Sequence, residues 1–184
     1  MEIKEQKKEL RRHIRKLKNN FTLEEKTEFS LPVFETVERL QEFEKAKCVL
    51  AYWSMEDEVY THDFINRWYN DKIILLPCVT GDDLILRRYE GAESMIAGEQ
   101  FGILEPVGEV FKDYYSIDLM IIPGVAFDKQ RNRMGRGRGF YDRLLSVCGC
   151  EKIGVCFDFQ IVENVPCEEF DVKMDKIIAT SQVY

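Results

Sequence analysis

The sequence predicts an α/β fold with a mainly parallel sheet covered by helices on both faces. Apolar runs of strand length recur along the 184 residues and are continuous rather than alternating, as in Ile73-Ile74-Leu75-Leu76 and Leu119-Met120-Ile121-Ile122. Strands buried on both faces read this way. Stretches with helical periodicity separate these runs, which is the pattern of βαβ units. Hydrophobic residues make up 45% of the chain and charged ones 32%, ordinary proportions for a globular protein with a real core.

The first helix is expected over residues 4–18. Leu10, Ile14 and Leu17 recur there at helical spacing, and lysines and arginines around them give a strongly basic outer face. Thr22-x-x-Glu25 reads as a capping box that opens a second helix. Pro32 is expected to kink that helix or restart it, with Ser30 as the new cap and Val33, Val37 and Leu40 as the apolar stripe. Lys47 to Trp53 is the first buried strand, and Thr61 is expected to cap a helix carrying Phe64, Ile65 and Trp68. Ile73 to Pro77 is the second strand; the turn Gly81-Asp82-Asp83 leads into a third from Leu84 to Arg88. Leu119 to Ile122, Ile153 to Phe157 and Lys176 to Thr180 supply the remaining strands. In sheets of this kind ligands bind beyond the carboxyl ends of the strands, so the loops after Trp53, Pro77 and Ile122 are the places to look. The strand order is not readable, and the chain carries no repeat, linker or low-complexity segment.

Composition narrows the partners. The net charge of −7 disfavours a general affinity for nucleic acid, because the phosphate backbone would be repelled. The basic residues crowd the first 18 positions and a loop near position 135, which fits a local site for a small phosphorylated ligand. No apolar run approaches the ~18 residues that would mark a membrane span. The amino terminus lacks the apolar core of a signal peptide, so a cytoplasmic protein without a membrane partner is expected. The six cysteines (Cys48, Cys78, Cys148, Cys150, Cys156 and Cys167) lie mostly in apolar stretches and are expected to be reduced, small hydrophobes. With no Cys-x-x-Cys and only His13 and His62, a zinc site is not expected.

The most informative stretch is Met120-Ile121-Ile122-Pro123-Gly124-Val125-Ala126-Phe127-Asp128, followed by Arg133-Met134-Gly135-Arg136-Gly137-Arg138-Gly139-Phe140-Tyr141-Asp142-Arg143. It reads as a buried strand, a loop of alternating glycines and arginines, then a helix. Glycines let backbone fold closely around an oxyanion, and amides of the loop and of the helix start point at it. Arg133, Arg136 and Arg138 add forked, charge-assisted donors. Asp142 is a hard oxygen ligand suited to Mg²⁺ on phosphate oxygens. Taken alone, Gly-Arg-Gly-Arg-Gly also fits a flexible surface loop or an RNA-binding tract. A single occurrence between an apolar strand and an amphipathic segment favours the nucleotide-phosphate reading; it is neither a Walker A loop nor a dinucleotide fingerprint.

With these residues the chain resembles the 5-formyltetrahydrofolate cyclo-ligases, also called 5,10-methenyltetrahydrofolate synthetases, nearly end to end. The likeness runs from Lys7-x-x-Leu10-Arg11 through Tyr52-Trp53-Ser54, Glu58-Val59-x-Thr61 and Gly102-Ile103-Leu104-Glu105-Pro106. It continues through the Asp118–Asp128 and Arg133–Arg143 blocks to Asp171-x-x-x-Asp175 and Ile177-Ile178-Ala179-Thr180. Three positions depart from the family pattern: Arg131 stands for a glycine, Met134 for a leucine and Phe140 for a tyrosine.

The resemblance implies one domain over residues 1–184, a three-layer α/β fold like that of sugar-phosphate isomerases and CoA transferases, and a monomer. It also implies ATP- and Mg²⁺-dependent cyclisation of 5-formyltetrahydrofolate to 5,10-methenyltetrahydrofolate through an N5-iminium phosphate, with release of ADP and phosphate. Lys7, Arg11 and the run Arg133, Met134, Gly135, Arg136, Gly137, Arg138, Gly139, Phe140 and Tyr141 would hold ATP. Lys7, Arg133 and Arg136 would be catalytic. Trp53 and Glu58 would face the folate, sharing Arg136, Gly137, Arg138, Gly139 and Phe140 with the nucleotide. Asp142 and Asp175 would hold Mg²⁺, with Asp171 in reserve. The alternatives are a divergent relative acting on another folate or on a thiamine-type substrate, and a non-catalytic nucleotide- or RNA-binding protein.

Overall fold

The computed structural model describes residues 2–81, 83–98, 102–169 and 171–184. The chain begins with α1 (Ile3–Lys18), α2 (Leu23–Glu38) and α3 (Gln41–Lys45), then β1 (Cys48–Leu50), α4 (His62–Trp68), β2 (Ile73–Thr80) and β3 (Asp83–Arg88). Short strands β4 (Met95–Ala97), β5 (Leu104–Pro106) and β6 (Val110–Phe111) precede β7 (Leu119–Pro123). β8 (Ala126–Asp128), β9 (Arg133–Met134), α5 (Phe140–Val147), β10 (Glu151–Cys156), β11 (Ile161–Val162) and β12 (Lys176–Ala179) complete the chain. The predicted turn residue Asp82 lies outside the described residues.

The main sheet is seven-stranded, in the order β12-β10-β7-β1-β2-β3-β6. Its first five members pair in parallel; β3 and β6 add an antiparallel edge. The register explains the unbroken apolar runs. Val49 lies beside Ile74 and Leu119, while Leu50 lies beside Leu75 and Met120. Successive side chains in a strand point to opposite faces. The Val49 row packs under α2, α3 and α4 with Val33, Phe34, Val37, Phe43, Phe64 and Ile65. The Leu50 row packs under α5 with Leu144 and Leu145. Both faces are buried, so both positions of the alternation must be apolar.

Several local expectations change. Pro32 does not restart the second helix: α2 runs through it from Leu23 to Glu38, behind the Thr22–Glu25 capping box. A proline inside a helix costs about 3 kcal/mol. Burying Val33, Phe34 and Val37 against the sheet returns about 1.5–3 kcal/mol each, which outweighs it. Ser30 is not a cap; its hydroxyl donates to Lys26 O and accepts from Tyr60 N. Thr61 stands at the N-cap of α4 but its side chain does not cap. Instead it donates to Tyr52 O at 2.6 Å and accepts from Ser54 N at 3.1 Å, folding the β1–α4 loop on itself. All six cysteines are free. Burial pushes the thiols of Cys48 and Cys150 up to about 11 and that of Cys78 up to about 12, which keeps them unreactive.

A second, three-stranded sheet in the order β11-β8-β9 follows directly on β7. Asp128 holds its hairpin shut. The carboxylate is fully buried and accepts from Gln130 N, Asn132 N, Asn132 Nδ2 and Val165 N, all at 2.9–3.0 Å. α1 lies on this sheet through Ile14, against Val125, Ala126 and Met134, with Leu10 and Leu17 beside it. That docking carries the basic helix to the carboxyl end of β7. No described helix is long and apolar enough to cross a membrane.

Candidate active site

The glycine–arginine loop leaves β9, passes over the end of β7 and enters α5. Gly137 has φ of 103° and Gly139, at the N-cap of α5, has φ of 69°. Both are left-handed conformations that side chains resist. No side chain caps α5, so its first amides keep their capacity for an anion. The loop rests on two guanidinium groups. A Cβ on Gly135 would meet Arg133 Nη1 at 3.1 Å, and one on Gly137 would meet Arg11 at 3.3 Å. At Gly137 both φ and the guanidinium beneath favour glycine, whereas at Gly135 only the contact does.

Arg133 and Arg136 do different things. Arg133 is 2% exposed at its side chain. It donates to Pro123 O at 3.1 Å and to Asp142 Oδ1 at 2.8 Å, and stands 5.5 Å from the Tyr141 ring. Its Nε is buried without a partner among the described residues. Arg136 is 48% exposed at the apex and reaches away to Glu58 and Asp57, at 3.0 and 2.6 Å. Met134 is buried under α1, whereas Arg138 is exposed. Phe140 is half-buried at the helix start with the Arg143 guanidinium 5.5 Å from its ring centre. Tyr141 is also half-buried, and desolvation raises its phenol pKa.

α1 supplies cations from the other side. Arg11 Nε donates to Gly135 O at 3.0 Å. Desolvation lowers its pKa, against the opposing fields of Asp142 and Asp171. Lys7 donates to Asp171 at 2.7 Å and Glu168 at 2.8 Å, its side chain 12% exposed. Burial opposes its charge, but bonds from these two carboxylates win and raise its pKa. The expected outward basic face is thus divided: Lys7 and Arg11 turn inward.

The β1–α4 loop forms the facing wall. Trp53 is half-buried, stacked on His62 with ring centres 3.8 Å apart and planes 13° apart, and Tyr89 lies 5.6 Å away. Desolvation lowers the His62 pKa, so the stacked ring is held neutral. Glu58 accepts from Met55 N through Oε2 and from Arg136 through Oε1. A cleft of about 180 Å³ opens beside it, lined by Ser54, Met55, Glu58, Tyr60 and His62, with Lys26 at its side. A smaller groove of about 90 Å³ lies between α2 and α4; no loop arginine lines either cavity, and the loop meets the larger one only through the Arg136–Glu58 pair.

The two predicted metal ligands are anchored on different elements. Asp142 lies in the first turn of α5. Asp175 stands before β12, and its carboxylate accepts Lys152 N at 2.8 Å. Lys152 pairs with Met120, three rows below Pro123, or about 10 Å at strand spacing. Asp171 shares the field of Arg11 with Asp142. Among the described residues no group of three or more His, Cys, Asp or Glu side chains could hold a metal ion unaided. Two charged neighbours of the site escaped sequence reasoning, Lys18 and Asp57. The spacing 7, 11, 14, 18 along α1 was the available signal, since it puts Lys18 on the inward face.

The fold is a mixed α/β domain whose glycine–arginine loop sits at the carboxyl end of a mostly parallel sheet. The comparisons are more specific. The family model described as "5-formyltetrahydrofolate cyclo-ligase family" matches residues 3–180. The 5-formyltetrahydrofolate cyclo-ligase of Haemophilus influenzae is 32% identical over 183 residues, covering 95% of this chain and 97% of the relative. That of Escherichia coli K12 is 31% identical over 149 residues, covering 76% and 81%. The NMR structure of 5,10-methenyltetrahydrofolate synthetase from Aquifex aeolicus superposes with a TM-score of 0.86 at 34% identity, covering 96% of this chain and 91% of that one. The synthetase from Mycoplasma pneumoniae gives 0.74 at 25% identity, covering 94% and 97%. The chain belongs to the 5-formyltetrahydrofolate cyclo-ligase family and is an enzyme, a ligase of folate metabolism.

Proposed function

We propose that the protein uses ATP and Mg²⁺ to close 5-formyltetrahydrofolate into 5,10-methenyltetrahydrofolate, releasing ADP and phosphate. One observation carries this reading: the loop apex joins two differently built halves. Behind it are Arg11, Arg133 and the open amides of α5; in front are Glu58, Trp53 and the cleft, tied to the apex through Arg136.

The formyl oxygen attacks the γ-phosphate of ATP, and the N5-iminium phosphate forms as ADP leaves. N10 then adds to the activated carbon, and phosphate departs as the ring closes. Phosphoryl transfer asks a protein mainly for position and positive charge. Lys7, Arg11 and the Gly135–Tyr141 backbone supply these for the nucleotide. Arg133 acts from beneath, holding the loop and Asp142 in place. Glu58 suits the amide and amino donors of a pterin, Trp53 and Phe140 offer apolar ring faces, and Arg136 lies between substrates.

Mg²⁺ keeps several waters and needs only one or two carboxylates besides phosphate oxygens. Asp142, facing Arg11 with Asp171 nearby, fits a metal that arrives on the nucleotide. When bound, the ion would draw charge from the phosphate oxygens. Asp171 takes the second place in this reading because its charge, like that of Asp142, acts on Arg11 under the loop, while one of its oxygens is bound by Lys7 and Glu168 N.

The test is the absorbance of methenyltetrahydrofolate on mixing the protein with 5-formyltetrahydrofolate and Mg-ATP, with ADP measured alongside. One ADP per methenyl product is expected. Turnover of ATP with another folate or a thiamine-type substrate only, or binding of nucleotide without turnover, would replace this reading by one of its alternatives.

A further inference from the structure

α1 delivers a third cation to the ligand end, and it does not belong to the nucleotide half. Lys7, Arg11, Ile14 and Lys18 recur at steps of four, three and four residues, so they share one helix face. Lys18 is the last residue of α1, its side chain 6% exposed. Its ammonium donates to Asp57 Oδ2 at 3.1 Å. Asp57 turns its other oxygen to Arg136 Nη2 at 2.6 Å. That same nitrogen donates to Glu58 Oε1 at 3.0 Å, and Arg136 Nε donates to it at 3.3 Å. Lys18, Asp57, Arg136 and Glu58 therefore form a chain of alternating charge from the end of α1 to the cleft wall.

A packing role does not account for this lysine. Desolvation lowers its pKa, so the fold works against its charge. A long apolar side chain would fill the same channel without that cost. What the ammonium adds is electrostatic. Without it, Asp57 and Glu58 would both face one guanidinium and leave a net negative charge beside a site for anionic ligands. With it the four groups are neutral, and Asp57 is divided between two cations.

We propose that Lys18 is a positioning residue for the folate half of the site: by holding one oxygen of Asp57 it fixes Arg136 against Glu58. This rests on the function proposed above. Lys18→Met keeps the length and removes the charge. The KM for 5-formyltetrahydrofolate is expected to rise about tenfold, the scale of a lost charge-assisted bond, while the KM for ATP stays within about twofold. A merely structural defect in α1 would reach Lys7 and Arg11 and raise the KM for ATP instead. Lys18→Arg should recover most of the loss. Asp57→Asn already severs the chain, so Lys18→Met added to it should change little. An unchanged folate KM in Lys18→Met, a rise for ATP as large as that for folate, or the full loss repeated on the Asp57→Asn background would each overturn the proposal. Wild-type protein that forms no methenyl product would overturn the functional reading instead. The chain is then judged by the NMR signal of Arg136 Nε–H: a shift in Lys18→Met supports it and an unmoved signal refutes it.

Discussion

The base and the apex of the glycine–arginine loop carry the same residue type three positions apart, yet the fold treats them in opposite ways. Arg133 at the base is buried and bound to Pro123 O and Asp142. Arg136 at the apex is half-exposed and bridges to Asp57 and Glu58 across the cleft. A guanidinium enclosed by protein groups has little capacity left for a ligand; one that is itself half-exposed can be redirected. The first two arginines of Arg-x-x-Arg-x-Arg are thus held differently, one as a buried support and one bridging to the facing carboxylates.

The sharpest way to break this comparison is to remove each arginine in turn. Arg133→Ala should cost about 3 kcal/mol of stability, the low end for breaking a buried pair, because Asp142 keeps 27% exposure. Activity should fall at least tenfold with it, through a collapsed loop. Arg136→Ala should lose activity by a similar or larger factor but less stability than Arg133→Ala, because Arg136 is half-exposed and Asp57 keeps Lys18 as a partner. Thermal melts and saturation kinetics on both variants decide it; equal losses of stability would erase the distinction. Next in size is the metal. Asp142→Asn should raise the Mg²⁺ concentration for half-maximal rate about tenfold, since amides are poorer ligands for a hard cation. Asp175→Asn should leave that titration unmoved while weakening its bond to Lys152 N. If the two variants shift alike, Asp175 acts on the metal as well.

Much of the sheet was legible because burial on both faces forces continuous apolar runs. Leu119 to Ile122 and Ile73 to Leu76 could hardly be anything else. The strand order was not, since it depends on crossovers such as β1 entering between β2 and β7. The short strands β8 and β9 escaped because their pairing is secured by the Asp128 carboxylate, which has no periodicity to read. The site divides along similar lines. Gly135, Gly137 and Gly139 were visible as a pattern. Lys7 and Arg11 were named only through the family resemblance, since helical amphipathicity assigns cations to solvent, and Lys18 was passed over although it shares their spacing on one helix face. Only the docking of Ile14 on the small sheet turns that face toward the ligands.

A subtler probe lies where apex and helix meet. Phe140 already carries the Arg143 guanidinium near its ring, 5.5 Å from the centroid. If another part of the ring stacks on the pterin, Phe140→Ala should raise the KM for 5-formyltetrahydrofolate severalfold, in line with about 0.5–1.5 kcal/mol for an aromatic pair. Phe140→Tyr should be nearly silent. If the ring only supports the loop, the KM for ATP moves first, and that outcome would assign Phe140 to the base of the loop rather than to its apex.

The smallest effect is expected just before the base. Arg131 stands where the family pattern has glycine, and its φ is 67°, the left-handed region. A side chain there costs about 1–2 kcal/mol. The turn needs this conformation: Arg131 N donates to Asp128 O at 2.9 Å, and Arg131 O accepts from Met174 N at 2.9 Å. Part of the strain is offset by the guanidinium, which reaches Asp175 O at 2.8 Å but is exposed there. An exposed bond of this kind contributes less than the strain removes, about 0.5–1.5 kcal/mol. Strain relief at mid-range exceeds the lost bond by about 0.5 kcal/mol, and the added freedom of the unfolded glycine takes back about as much, so Arg131→Gly should leave stability within about 0.5 kcal/mol of the parent. Denaturant melts would read this as a midpoint almost unmoved with unchanged slope. Kinetics should not change, because Arg131 supports the hairpin and not the loop above it. A larger fall in stability would mean that the contact with Asp175 O outweighs the backbone strain, and that arginine at this place is held by its side chain.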